Sequence, residues 1–81
     1  MKIQLLKGNF DSKDVEKIIS DLLYVKIKYH EEKIGIDDEE ETIKMRENRI
    51  IKLQNELTAL RKYLSGKVNT SLILESEISI S

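Results

Sequence analysis

The chain has 81 residues, with 14 Lys and Arg against 15 Asp and Glu, which gives a formal net charge of −1. Hydrophobic residues make up 40% and charged residues 36%, a balance that excludes a disordered chain and indicates one small folded domain, residues 1–81. No apolar run approaches the roughly 18 residues of a membrane span, and we see no signal peptide. The absence of Cys excludes disulfides and thiolate sites. We therefore expect a cytoplasmic protein without membrane contact.

The N-terminal segment, residues 2–7, is short and aliphatic, and the Gly8-Asn9 pair that follows it predicts a strand closed by a turn. Residues 11–34 predict a helix, with Asp11 as the N-cap because its carboxylate can accept backbone N–H groups of the first turn. Apolar residues recur along this helix at intervals of three and four, which is the spacing of a helix that packs along another helix. This predicted seam consists of Val15, Ile18, Leu22, Val25 and Tyr29.

A second helix is predicted over residues 38–65, after a tight connection in which Gly35 is expected to adopt a left-handed conformation. Apolar residues follow a heptad repeat along it, and only Arg46 interrupts the register. Two helices of similar length with a short loop predict an antiparallel, coiled-coil-like hairpin. The seam of the second helix consists of Ile43, Ile50, Leu53, Leu57, Leu60 and Leu64.

The C-terminal segment, residues 68–80, alternates between apolar and polar side chains, with Ile73 as the exception. Such alternation is typical of a half-buried strand. The predicted fold is therefore a helix-dominated α+β chain of the order β-α-α-β. Its long helical hairpin brings both chain ends to the same side, so that the short terminal strands form a small antiparallel sheet.

A resemblance to a family of small uncharacterised bacterial proteins rests on the N-terminal half of the chain. The residues that carry it are Lys7-Gly8-Asn9-Phe10, Val15, Ile18-Ile19, Leu22-Leu23, Lys26-Ile27 and Tyr29-His30. Members of that family look like a short strand, a helical hairpin and a terminal alternating strand. The resemblance implies this element order and a bacterial origin, and it implies no activity.

Individual polar residues give no catalytic pattern. His30 lacks a partner at metal-ligand spacing and is interpreted as a surface residue, and the acidic run 37–41 is interpreted as helix capping. We consider two interpretations of Arg46. Its guanidinium can reach water, or it can form an ion pair with one of three carboxylates, Glu16, Asp21 or Glu32. We find neither a triad nor a phosphate loop, and we expect no enzyme activity and no cofactor or metal.

The large number of aliphatic residues, with twelve Ile and ten Leu, predicts self-association, as a homodimer or a tetramer. The function expected first is a protein-interaction module that homodimerises through the seams, the strands or both, and that can offer a face to an unknown protein partner. The alternative is a nucleic-acid-associated regulator that uses the basic residues of the hairpin, although the net charge disfavours nucleic-acid binding. The predicted strand interface consists of Ile3, Leu5, Leu72, Leu74, Ile78 and Ile80.

Overall fold

The computed structural model describes residues 1–36 and 39–81, which form two strands and two helices. Strand β1 spans Lys2–Asp11, helix α1 Ser12–Ile34, helix α2 Glu40–Ser65 and strand β2 Ser71–Ser79. The strands pair as a two-stranded antiparallel sheet, and the helices pack against each other as a hairpin. The predicted β-α-α-β fold class is thereby confirmed.

The start of α1 is fixed by the predicted cap. The carboxylate of Asp11 accepts a hydrogen bond from the backbone N–H of Asp14 at 3.0 Å. Asp11 is also the last residue of β1, so the strand passes into the helix without a loop. The backbone N–H of Ser12 donates to the carbonyl of Thr70 at 3.1 Å, which ties the start of the helix to the residue before β2.

Strand β1 is longer than predicted. It continues through Gly8 and Asn9, which pair with Leu74 and Ile73, so the prediction of a turn after residue 7 is wrong. Gly8 has a φ of 142°, a conformation that glycine adopts readily and other residues rarely do. The glycine therefore allows an irregular backbone inside the strand, and does not end it.

Strand β2 begins later than predicted, because residues 67–70 form a turn. The N–H of Thr70 donates to the carbonyl of Lys67 at 3.2 Å, and Asn69 adopts a left-handed φ of 59°. Asn is among the few residues that tolerate this conformation. Val68 therefore lies in the turn and is exposed. At the other end, the N–H of Ile80 donates to the carbonyl of Met1 at 2.7 Å, so pairing extends just past the strand.

A bulge interrupts the ladder at Leu5. Gln4 pairs with Glu77 and Leu6 pairs with Ser76, so Leu5 has no partner. The side-chain amide of Gln4 donates to the carbonyl of Leu6 at 2.9 Å and to that of Ser76 at 3.0 Å. It thereby satisfies backbone acceptors at the point where the regular ladder is broken.

The connection between the helices differs from the prediction. Gly35 is right-handed, with φ −65° and ψ −15°, because the chain leaves α1 by continuing its turn: its N–H donates to the carbonyl of Glu31 at 3.4 Å. Helix α2 begins at Glu40, with Glu39 at the N-cap. The first two acidic residues, 37 and 38, lie outside the described residues. Helix α2 ends at Ser65, as predicted, and Gly66 follows it.

The core lies between the two helices. Five apolar side chains are buried among the described residues, namely Val15, Ile27, Leu53, Leu57 and Leu64. The rest of the predicted α2 seam is half-buried, at Ile43, Ile50 and Leu60. In α1, however, the inner stripe runs through Ile19, Leu23, Ile27 and Ile34. Paired apolar residues, Ile18-Ile19 and Leu22-Leu23, fit two stripes at helical spacing, and the stripe through Ile27 faces α2.

The molecule is one layer thick. Its principal extents are 46 × 33 × 14 Å and its radius of gyration is 15.3 Å, against about 12 Å for a compact domain of this length. Stable domains usually bury a core between two packed layers of secondary structure. Here the helical hairpin forms such a core only between its own two helices. Neither described helix is long and apolar enough to cross a membrane.

Candidate functional site

The two faces of the sheet differ in composition. The register places the apolar side chains on one face, which we call the open sheet face. The bulge matters here, because it keeps Ile3 on the same face as Leu6 although the two are three residues apart. The open sheet face consists of Ile3, Leu6, Gly8, Phe10, Leu72, Leu74, Ser76 and Ile78, and Ile80 continues it past the strand.

The open sheet face is half-buried near the helices and exposed at its far end. Near the helices its large side chains are half-buried, at Leu6, Phe10, Leu72 and Leu74. At the far end Ile3 is 38%, Ile78 41% and Ile80 51% exposed. Five of the six residues of the predicted strand interface lie on this face. The sixth, Leu5, lies at the bulge and is also exposed.

The opposite face of the sheet is polar. Lys2 and Glu77 lie across the strands with Nζ and Oε1 3.9 Å apart, and Lys7 pairs in register with Glu75. Ile73 is the exception expected from the sequence, and it is 80% exposed. All four charged side chains between Lys2 and Phe10 and between Ser71 and Ser79 lie on this face, so the open sheet face carries no charge.

A second apolar surface lies on α1, outside the core of the hairpin. Four of the five residues of the predicted α1 seam form it: Ile18 is half-buried, while Leu22, Val25 and Tyr29 are 37%, 67% and 52% exposed. We call these four residues the outer stripe. The fifth, Val15, is buried. The outer stripe therefore contributes little to the hairpin core and is accessible to another molecule.

A cleft with a volume of about 120 Å³ lies between the helices on one side of the hairpin. Helix α1 contributes Lys26 and His30, and α2 contributes Arg49, Lys52, Leu53 and Glu56. We call it the cationic cleft, because three of its six lining residues carry a positive charge. Sequence reasoning treated the basic residues of the hairpin only as a general set. Their meeting depends on how the two helices are rotated about their axes.

Arg46 lies beside the cationic cleft and contacts two residues of α1. Its Nη1 lies 3.2 Å from Nδ1 of His30, and its Cζ lies 5.8 Å from the ring centroid of Tyr29. A guanidinium can only donate, so a hydrogen bond here needs Nδ1 of His30 as the acceptor, which the neutral ring provides. Two carboxylates considered as partners of Arg46 pair elsewhere: Glu16 with Arg61 at 3.7 Å and Asp21 with Lys17 at 3.3 Å.

The environment of His30 favours the neutral ring. Desolvation lowers the pKa of His30 below its ordinary value, and the positive charges of Arg46, Arg49 and Lys26 lower it further. Tyr29 borders the same site, with Nζ of Lys33 5.7 Å from its ring centroid. Positive charge is therefore concentrated enough on this side of the hairpin to oppose one more proton.

Several cations elsewhere on the hairpin have carboxylate partners, whereas three cations of the cleft have none among the described residues. Lys44 pairs with Glu40 at 3.5 Å, in addition to the pairs made by Lys17 and Arg61. By contrast, Lys26, Arg49 and Lys52 form no ion pair within residues 1–36 and 39–81. Of the residues that the structure describes, Glu56 is the one carboxylate that lines the cationic cleft. The cleft therefore carries a local excess of positive charge.

Two other tyrosines also contact basic side chains. Tyr24 accepts a hydrogen bond from Nη2 of Arg61 at 3.2 Å, and the ring of Tyr63 lies 5.4 Å from Nζ of Lys67. Over the part of the chain that the structure describes, no group of three or more His, Cys, Asp or Glu side chains could hold a metal ion.

No family model, no curated protein and no solved structure matches the chain significantly.

Proposed function

We propose that the protein is a non-catalytic interaction module that homodimerises through its open sheet face. The observation that carries the proposal is the exposure of Ile3, Ile78 and Ile80 at the uncovered end of a charge-free face. A two-stranded sheet is marginal in water unless its apolar face packs on something. A second sheet packed face to face at about 10 Å would remove these side chains from water.

Charge favours a second copy as the occupant. A two-fold interface brings the same patch of both molecules together, so any charge on the patch would meet itself. The open sheet face carries none, while Lys2, Lys7, Glu75 and Glu77 all lie on the opposite face. A copy of the same chain therefore meets no like-charge repulsion there, and the polar face stays in water.

The sheet face alone is smaller than the area that a stable dimer interface usually buries, which favours a contribution from the outer stripe to the interface. Nine residue pairs at a rise of about 3.3 Å and a strand spacing of about 4.8 Å give the sheet face an area of roughly 300 Å² in projection. Stable interfaces usually bury about 800 Å² per partner. The outer stripe begins two helical turns after β1 ends and adds apolar area at Leu22 and Val25. We propose that the dimer covers the open sheet face and the outer stripe from Ile18 to Val25, and that Tyr29 lies outside the interface.

The test is solution mass by light scattering after size exclusion, over a dilution series, with two variants on the same strand. Ile78→Lys places a charge on the open sheet face, and we expect it to be monomeric at concentrations where the unaltered protein is dimeric. Ile73→Lys places the same charge on the polar face and serves as the matched control, because Ile73 is already 80% exposed. We expect it to remain dimeric.

Circular dichroism of both variants checks that the helices persist. A protein that is monomeric and fully folded at every concentration would contradict the proposal. So would an Ile78→Lys variant that stays dimeric, which would indicate pairing through strand edges or through the helices.

A further inference from the structure

We propose that the cationic cleft binds the phosphodiester backbone of a single-stranded nucleic acid. This inference does not depend on the proposed dimer, because the cleft lies on the side of the helical hairpin and not on the sheet. It rests on the cations that meet there, on their lack of carboxylate partners and on the ring of Tyr29 beside them.

The cations come from both helices and converge on one surface. Lys26 lies on α1, and Arg49 and Lys52 on α2, around a cleft of about 120 Å³. Lys33 and Arg46 extend the same side towards the loop end of the hairpin, with the ring of Tyr29 between them. The surface from Lys26 to Lys33 is about 10 Å long at 1.5 Å per residue, which matches about three stacked nucleotides at 3.4 Å each.

The charges of this cleft are poorly compensated within the molecule. Lys26, Arg49 and Lys52 form no ion pair within the described parts of the chain, whereas Lys17, Lys44 and Arg61 each have a carboxylate within 4 Å. Among the described residues, Glu56 is the one carboxylate in the lining. Like charges held together repel one another, so a bound anion would stabilise the arrangement. A row of phosphates supplies such an anion and gains affinity by releasing its counterions.

Tyr29 favours a single strand over a duplex or a free phosphate. Tyr29 is 52% exposed, and its ring lies within cation–π distance of Lys33 and Arg46. Single-strand binders combine a positive groove for the backbone with aromatic side chains on which unpaired bases stack. A duplex keeps its bases stacked inside, and inorganic phosphate has no ring to offer. The pairing of cations with an accessible aromatic ring thus fits an unpaired base beside its phosphate.

The test uses the full chain and a fluorescein-labelled oligouridylate at low salt, with binding followed by anisotropy. The triple variant Lys26→Gln, Arg49→Gln, Lys52→Gln removes three exposed cations of the cleft, and we expect it to weaken binding by about ten-fold or more. The matched control is Lys13→Gln, Lys28→Gln, Lys62→Gln. It removes the same net charge from exposed positions outside the cleft lining, and we expect less than about a three-fold change.

Two further measurements separate the nucleic acid from other anions. Tyr29→Leu should weaken oligouridylate binding several-fold while leaving the dissociation constant of inorganic tripolyphosphate, obtained by competition, unchanged. A nuclear magnetic resonance titration of the His30 ring should show its pKa rising when the oligonucleotide binds, because a bound phosphate brings negative charge close to the cations that lower this pKa.

Three results would overturn the proposal. One is the absence of an anisotropy change at any salt concentration. Another is an equal loss of binding in the cleft variant and the control variant, which would indicate diffuse electrostatic attraction. The last is tighter binding of duplex than of single-stranded oligonucleotide, which would point to backbone contacts without a role for Tyr29.

Discussion

Gly8 is the residue whose backbone most constrains the sheet. Its φ of 142° is strained for any residue with a Cβ, although no atom lies within 4 Å of the place a Cβ would occupy. We expect Gly8→Ala to destabilise the protein by about 1–3 kcal/mol through backbone strain alone. Chemical denaturation followed by circular dichroism measures the change.

Gly66 supplies the control for this substitution. A Cβ there also meets no atom within 4 Å, but its φ is −90°, which any residue adopts. Gly66→Ala should therefore leave stability unchanged or raise it slightly, by about 0.5 kcal/mol. Equal losses in the two variants would show that strain at Gly8 is not the cause.

His30 links stability to pH. Because its pKa is lowered in the folded protein, the unfolded chain takes up the proton first as the pH falls through the ordinary histidine value of about 6.5. The contribution of the neutral ring is present above pH 6.5, and it falls below that pH until the folded-state pKa is reached. We expect His30→Gln, whose amide oxygen can still accept from Arg46, to reduce this pH dependence.

The measurement for His30 is the free energy of unfolding of both proteins across a pH series, and the informative quantity is their difference. Carboxylate titrations at lower pH are common to both proteins and cancel. A difference that is constant from pH 5 to pH 8 would show that partial burial and the three nearby cations do not act on the ring.

At the scale of the elements, the helical hairpin carries most of the stability. Leu57 is 7% exposed, and it lies among the buried residues between α1 and α2. We expect Leu57→Ala to destabilise the protein by about 2–5 kcal/mol, from lost burial and the cavity that remains. Ile51→Ala on the same helix should cost less than about 1 kcal/mol, because Ile51 is 54% exposed. Thermal unfolding compares the two, and a larger loss at Ile51 would place it in an interface.

The sequence predicted the elements better than it predicted the rotation of α1. The apolar residues of the α2 heptad, interrupted at Arg46, all fall on one face of the helix. That face packs on α1. In α1 the pairs Ile18-Ile19 and Leu22-Leu23 allow two faces, and only contact with α2 selects the one that contains Ile27. Alternation alone identified the apolar face of β2. The continuation of β1 through Gly8 could not be predicted, because Gly-Asn is a common turn signal and the deciding hydrogen bonds come from β2.

For the whole molecule, thickness is the main constraint. With an extent of 14 Å in one direction, the protein has no second layer to cover the open sheet face. If association supplies that cover, unfolding is coupled to dissociation, and the thermal midpoint should rise with protein concentration. Calorimetry over a hundred-fold range of concentration checks this. The midpoint of Ile78→Lys should be lower and independent of concentration, while a constant midpoint in the unaltered protein would indicate a self-sufficient monomer.

Net charge does not describe where the charges of the molecule lie. A total of −1 disfavours nucleic-acid binding when charges are spread evenly, but the hairpin separates them. Lys26, Arg49 and Lys52 gather on one side, and several other cations are paired with carboxylates. The sequence contains each of these residues. Their grouping requires the rotation of both helices, which sequence periodicity left open for α1.

The bulge at Leu5 also determines where the chain can change in length. Since Gln4 and Leu6 already pair with adjacent residues of β2, removal of Leu5 would leave every other cross-strand partner in place. Removal of a paired residue such as Lys7 would instead shift one arm of β1 by a step and exchange its two faces. During evolution, single-residue insertions and deletions in β1 should therefore be tolerated at Leu5 and selected against elsewhere in the strand.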